Sequence, residues 1–232
     1  FSGIMTPNNL PFLYLAFVLI KVLHEAGHAF SCKVFGRREG AGGEVHAIGI
    51  MFLVFIPVPY VDASSAWALR SKAGRVVVGT AGMMMEMVVA SIAAIIWACT
   101  DPLTGINAFC YNLMFVAGVS TILFNGNPLL RYDGYYILCD LLEIPNLATR
   151  ARTHVRNVLR KNVLGVHRVI DVTESKSEKT WLMIYAITSG IYRVFIYAMI
   201  MLFLASLLPI AAVLLLVYAC ITWIFIPTGK FN

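Results

Sequence analysis

The sequence predicts an all-α polytopic membrane protein: about five transmembrane helices, a membrane-dipping strand or hairpin, and an interfacial amphipathic helix. Three observations lead there. Of 232 residues, 59% are hydrophobic and 13% charged, with a mean hydropathy of +0.79, a balance that soluble domains rarely show. Apolar runs long enough to cross a bilayer core, about 20 residues each, occupy 10–36, 73–99, 105–124, 181–206 and 208–226. Positive charge, finally, gathers in alternate connections.

Span one, 10–36, is too long for a signal peptide, lacks a basic leader, and is interrupted by His24 and Glu25. The connection to span two carries Arg37, Arg38, Arg70, Lys72 and Arg75. The connection between spans three and four carries Arg131, Arg150, Arg152, Arg156, Arg160, Lys161, Arg168, Lys176 and Lys179. "CTDPLTGINAF" and the link around Pro209 have no Lys or Arg. Basic connections face the cytosol, so the N-terminus is expected outside and the C-terminus inside. The chain begins at Phe1 without a methionine, and the whole of 1–232 is expected to be one domain within a longer polypeptide. Cys99 and Cys110 flank the outside loop, where a disulfide is chemically permitted.

Residues 44–60, "EVHAIGIMFLVFIPVPY", are apolar, β-branched and broken by Pro57 and Pro59. They read as a strand or hairpin dipping into the membrane, with an edge that can take an extended substrate, or as a re-entrant packing loop. Residues 146–170 carry Arg150, Arg152, Arg156, Arg160, Lys161 and Arg168 with no acid, interleaved with Val155, Leu159, Leu164 and Val166. Beside membrane spans this pattern points to a helix lying on anionic lipid, not to nucleic acid.

The chemistry concentrates in "HEAGH", 24–28, inside span one. At 3.6 residues per turn His24 and His28 share a helix face and can reach one zinc. Glu25 lies about 100° further round and can meet a water molecule without ligating the metal; Lys21 falls in the same sector. The competing reading is a pair of hydrogen-bonded core histidines. Ionisable groups at membrane depth are costly, which favours a functional role. His28 and His24 lie about 12 and 18 Å from the cytosolic end of the span, so the site is expected in the cytosolic half of the bilayer.

A hydrolytic zinc wants a third protein ligand. Cys32 is two turns from His24, about 12 Å along the axis, too far to converge. His46, His154 and His167 qualify on chemistry alone. "LFNGNPLLRYDGYYILCD", 123–140, offers Asp133 in a stretch that Pro128 and Gly134 break; Asp133 either completes a His/His/Asp site or caps the following helix.

Together these stretches resemble the site-2-protease type intramembrane zinc metalloproteases, which pair H-E-x-x-H with a later N-x-x-P-x-x-x-x-D-G element. Asn125, Pro128, Asp133 and Gly134 match that spacing. "HEAGHA", "PVPYVDASSAW", "NPLLRYDGYY" and "LLEIPNL" are similar to a bacterial peptide zinc metalloprotease subgroup, over roughly residues 10 to 150 and more weakly beyond. The resemblance implies one zinc per chain on His24, His28 and Asp133, Glu25 as the catalytic carboxylate, and a bacterial cytoplasmic membrane location. It also implies a membrane-embedded protein or peptide substrate, and in some relatives an adaptor-like segment. Asn125 is expected to donate to an oxyanion or to hold the extended substrate. One departure stands out: many members carry a G-P-x-x-N-like element on the intervening helix, where this chain reads "GTAGMMMEM" with Glu86. Glu86 and Arg193 both come out about 20 Å deep and are expected to pair or to line one cavity, with Lys21 bordering a water channel.

The resulting expectation is zinc-assisted peptide hydrolysis within the membrane. The alternative is a non-proteolytic zinc-binding module of a peptide export or regulatory system, for which a non-ligating Glu25 has little use. A transporter would show repeated, broken spans in both halves, and none is visible.

Overall fold

The computed structural model describes residues 6–53, 56–164, 175–207 and 217. Among the described residues it is mostly helical, and four helical stretches there are long and apolar enough to cross a membrane: Leu10–Glu39, Lys72–Cys99, Gly105–Asn125 and Lys176–Leu202. These coincide with the first four expected spans. The fifth, 208–226, lies outside the described residues apart from position 217. The chain divides into two compact units, one ending at Asn146 and one beginning at Leu147.

In the first unit α1 (Leu10–Glu39), α2 (Lys72–Cys99) and α3 (Gly105–Val119) pack on one another. Local chemistry sets their ends. Helix α1 starts with a proline in its first turn and stops at Gly40 in the left-handed conformation, φ 69°. Ser71 caps α2 by accepting from Gly74 N–H at 3.1 Å, and Thr104 caps α3 by accepting from Asn107 N–H at 3.3 Å. Asn9 precedes α1 but does not cap it, because its amide exchanges two hydrogen bonds with buried Asn112 of α3, at 3.0 and 2.7 Å.

Beyond α3 the helix widens into a π-helical segment, Ser120–Asn125, where Gly126 N–H bonds back to Thr121 O at 2.7 Å. Such bulges insert a residue into the turn and often mark functional positions. The chain then folds back so tightly that a Cβ on Gly134 would lie 2.8 Å from the Gly126 carbonyl, which accounts for the glycine after Asp133. Helix α4 (Asp133–Leu142) begins at that aspartate.

The expected membrane-dipping segment is an antiparallel hairpin of β1 (Ala47–Leu53) and β2 (Ile56–Asp62), paired from Ala47↔Asp62 to Leu53↔Ile56. Strand β2 packs against α1. Pro57, Pro59 and Val61 share the parity that faces away from β1, so the prolines fall where no N–H is owed to the partner strand.

Two apolar clusters flank the middle of α1. One joins Ala16 and Ile20 to Ala93, Cys110, Leu113 and Ala117; the other joins Cys32 to Ala66, Leu69 and Val78. His24 lies between them. Outward-facing apolar side chains such as Phe30, Ile92, Ile95 and Ile106 are exposed, as lipid-facing helices require. Cys99 and Cys110 are not joined, so the permitted disulfide is not formed.

The second unit packs α5 (Leu147–Leu164) against α6 (Lys176–Leu207). Helix α5 covers most of the expected basic amphipathic segment; it buries Leu147, Ala148 and Ala151 at helical spacing and its Arg150 pairs with Glu178.

The reciprocal amide pair makes a direct expectation. Replacing Asn112 by alanine removes both hydrogen bonds of the amide pair and should cost about 1–3 kcal/mol, read as a lower Tm of the detergent-solubilised protein. The Asn9→Ala, Asn112→Ala double variant should lose less than the two single losses combined.

Candidate metal centre

His24 and His28 stand one turn apart on α1, ring centroids 4.7 Å apart and edge-on. Their Nε2 atoms are 3.1 Å apart. Asp133 Oδ2, arriving from the start of α4, lies 3.1 Å from His24 Nε2 and 3.4 Å from His28 Nε2. These three residues form a candidate metal site. Asp133 is the first residue of α4 and faces the histidines, but it does not cap that helix: the N-cap position is Tyr132, with no side-chain cap hydrogen bond.

Proton placement explains why these atoms face one another. His28 Nδ1 sits 2.8 Å from Val78 O. A carbonyl oxygen only accepts, so Nδ1 carries the proton and Nε2 is left with a lone pair. His24 Nδ1 sits 3.0 Å from the Glu86 carboxylate, and the same logic gives the same tautomer. Asp133 Oδ2 is buried, and no hydrogen bond reaches it. Three lone-pair atoms thus point at each other, an arrangement that repels unless a cation lies among them. Tetrahedral zinc with ligand bonds of about 2.0–2.1 Å separates its ligands by about 3.3–3.4 Å, close to the distances observed. The donor set fits zinc.

Helix α2 makes room for this. A Cβ on Gly82 would lie 2.5 Å from His28 Nε2 and 2.6 Å from His24 Nε2, and one on Gly27 would lie 2.7 Å from Ala81 O. Gly82 falls in the stretch "GTAGMMMEM", where nothing local marks it as the residue against the imidazoles.

Glu25 lies beside this cluster without joining it. Its Oε2 accepts from Val61 N–H of β2 at 3.0 Å, and its side chain lines a cleft of about 750 Å³ with His28 and Asp133. Trp67 and Tyr136, edge to face at 6.4 Å, stand on the same cleft, as does the Arg75–Asp140 ion pair at 2.8 Å. Asp62, also on this cleft, accepts from Ser64, whose hydroxyl and N–H hold its carboxyl below the usual range.

The cation at Glu86 is Lys21, 3.3 Å away, which also donates to Ser120 Oγ at 2.5 Å. Lys21 is therefore a counter-ion to Glu86, and it also lines a cavity of about 680 Å³ together with Tyr14, Phe17 and Asn125. Arg193 lies on α6, in the second unit. Asn125 Nδ2 donates to Glu86 Oε1 and Ser120 Oγ, both at 3.2 Å, and lies 3.4 Å from His24 Nδ1. Among the open third-ligand candidates, His46 is exposed and its nearest ion partner is Glu44 at 3.9 Å, His154 is on α5, and His167 is outside the described residues.

Fold and site together define a polytopic helical protein carrying a two-histidine, one-aspartate donor cluster within its helices. The chain is similar to a Bacillus subtilis protein described as "Putative peptide zinc metalloprotease protein YydH", at 28% identity over 159 residues. The match covers 66% of this chain and 56% of that protein, so the chain spans about half the length of the curated relative. No family model matches, and no solved structure matches.

Gly82→Ala should drive a methyl group into the imidazole pair and abolish stoichiometric zinc binding, measured by metal analysis after dialysis. Gly118→Ala, where a Cβ meets nothing within 4 Å, should keep it.

Proposed function

We propose that the chain is an intramembrane zinc metalloprotease of the site-2-protease type, acting on a transmembrane or membrane-associated peptide. The observation that supports this most is the convergence of His24, His28 and Asp133 from two distant segments, with a non-ligating Glu25 alongside. The name of the Bacillus subtilis relative agrees with that reading. The basic connections argue for a site in the cytosolic half of a bacterial cytoplasmic membrane.

His24, His28 and Asp133 would hold the zinc, which would supply Lewis acidity towards a scissile carbonyl and a water nucleophile near neutral pH. Glu25 takes the proton of the attacking water and returns it to the leaving amine. Val61 N–H orients that carboxylate from the hairpin. The same hairpin suits an extended substrate. Along the outward parity of β2 the prolines have no N–H and Val61 spends its own on Glu25, so the edge offers carbonyl acceptors to the N–H groups of an added strand. A helical peptide bond is shielded by its own hydrogen bonds, so presentation as a strand precedes attack.

The decisive substitution is Glu25→Gln. Zinc should remain near one per chain while peptide hydrolysis falls by about 10²–10⁴-fold, followed by mass spectrometry of peptides incubated with protein reconstituted in liposomes. Uncleaved substrate should co-purify with the variant, and stripping the metal with a chelator should silence the wild type. If Glu25→Gln leaves biological function whole, the non-proteolytic zinc-binding module replaces the protease reading.

A further inference from the structure

Glu86 is fully buried and is the sole charged residue of α2 between Arg75 and Cys99. Yet the hydrolytic scheme does not call on it. Its Oε1 accepts from Ser120 Oγ at 2.9 Å, His24 Nδ1 at 3.0 Å, Asn125 Nδ2 at 3.2 Å and Lys21 Nζ at 3.3 Å, and its Oε2 accepts from Thr121 Oγ1. Donors from α1 and from the π-helical segment meet on one carboxylate of α2.

We propose that Glu86 is a positioning residue for the metal ligand His24, with Lys21 as its counter-ion. The proposal rests on the metal site of the preceding subsection. An imidazole can bind a metal through either nitrogen, and the partner of the other nitrogen decides which. The backbone carbonyl of Val78 does this for His28. For His24 the acceptor is a carboxylate, which fixes the ring and, being negative, makes Nε2 a stronger donor to a cation. A lone carboxylate among apolar helices would be severely penalised. Lys21, one turn before His24 on the same helix, supplies the opposite charge.

The π-helical segment completes the arrangement. Hydrogen bonds that run from each residue to the fifth one on bring positions 120 and 125 to one face beside 121, so Ser120, Thr121 and Asn125 can all reach Glu86. In a regular α-helix residue 125 would turn away from 120. The widened turn thus lets a hydroxyl pair and an amide hold the carboxylate that holds His24.

The test measures zinc affinity of the detergent-solubilised chain by competition with a chromophoric chelator, alongside thermal unfolding of the metal-free protein. Glu86→Leu should weaken zinc binding by about 10–100-fold. Glu86→Asp, which keeps the charge on a shorter arm, should recover part of that loss. Where Glu86→Leu does not fold, the charge-neutral Lys21→Met, Glu86→Gln pair serves instead and should bind zinc about tenfold more weakly than wild type, with its metal-free unfolding unchanged. Wild-type affinity in folded Glu86→Leu or in the neutral pair overturns the proposal and leaves the metal site standing. A wild-type chain that binds no zinc removes the site itself and the proposal with it.

Discussion

Three electron-pair donors facing one another across 3.1–3.4 Å, deep among apolar helices, are the constraint around which the first unit is arranged. Without a cation they repel; with one they bind α1 to the fold-back that opens α4. Charge balance agrees with this. The carboxylates of Glu25, Glu86 and Asp133 oppose the ammonium of Lys21, and a divalent ion leaves the cluster with no net charge. A buried polar cluster in a low-dielectric interior is tolerable when it is paired and hydrogen-bonded throughout. Removing one member of a buried pair typically costs about 3–5 kcal/mol.

The surrounding structure reads as a set of provisions for that cluster. Glycines at 27 and 82 let α1 and α2 approach until backbone nearly meets imidazole. The left-handed close of α1 at Gly40 turns the chain towards the hairpin, whose second strand returns along α1 and offers Val61 N–H to Glu25. Prolines on the outward parity of β2 keep competing donors away from that edge. Apart from Gly27, which lies between the two histidines, each provision comes from some distance along the chain, and each acts through backbone geometry more than through side-chain chemistry.

Much of this could be read in advance. Spans one to four, the hairpin and the amphipathic α5 follow from hydrophobic run length, proline punctuation and charge spacing, because those are properties of consecutive residues. The His24–His28 pair is legible for the same reason, since helical rise and turn fix their relation. Asp133 is legible only as one of several candidates, because its approach depends on how tightly Asn125–Gly134 folds back. Asn125, Lys21 and Glu86 show the limit. Their polarity marks them as inward-facing, but whether an amide meets an oxyanion or a neighbouring carboxylate depends on where a π-helical turn places it, and no local pattern announced that turn.

The sequence by itself determined that the helices are built for a membrane, that two imidazoles and a glutamate share a sector of the first one, and that a second motif lies at the end of the third. Only the tertiary structure decided that Glu86 takes Lys21 and His24 as partners, that Asn125 serves Glu86, and that Gly82 is the residue giving the donors their space. The physical reason is range. Periodicity and motif spacing encode which face a residue occupies on its own element, whereas a contact across elements depends on interhelical distance and on the register at which two helices cross, and these are set by packing of the whole unit.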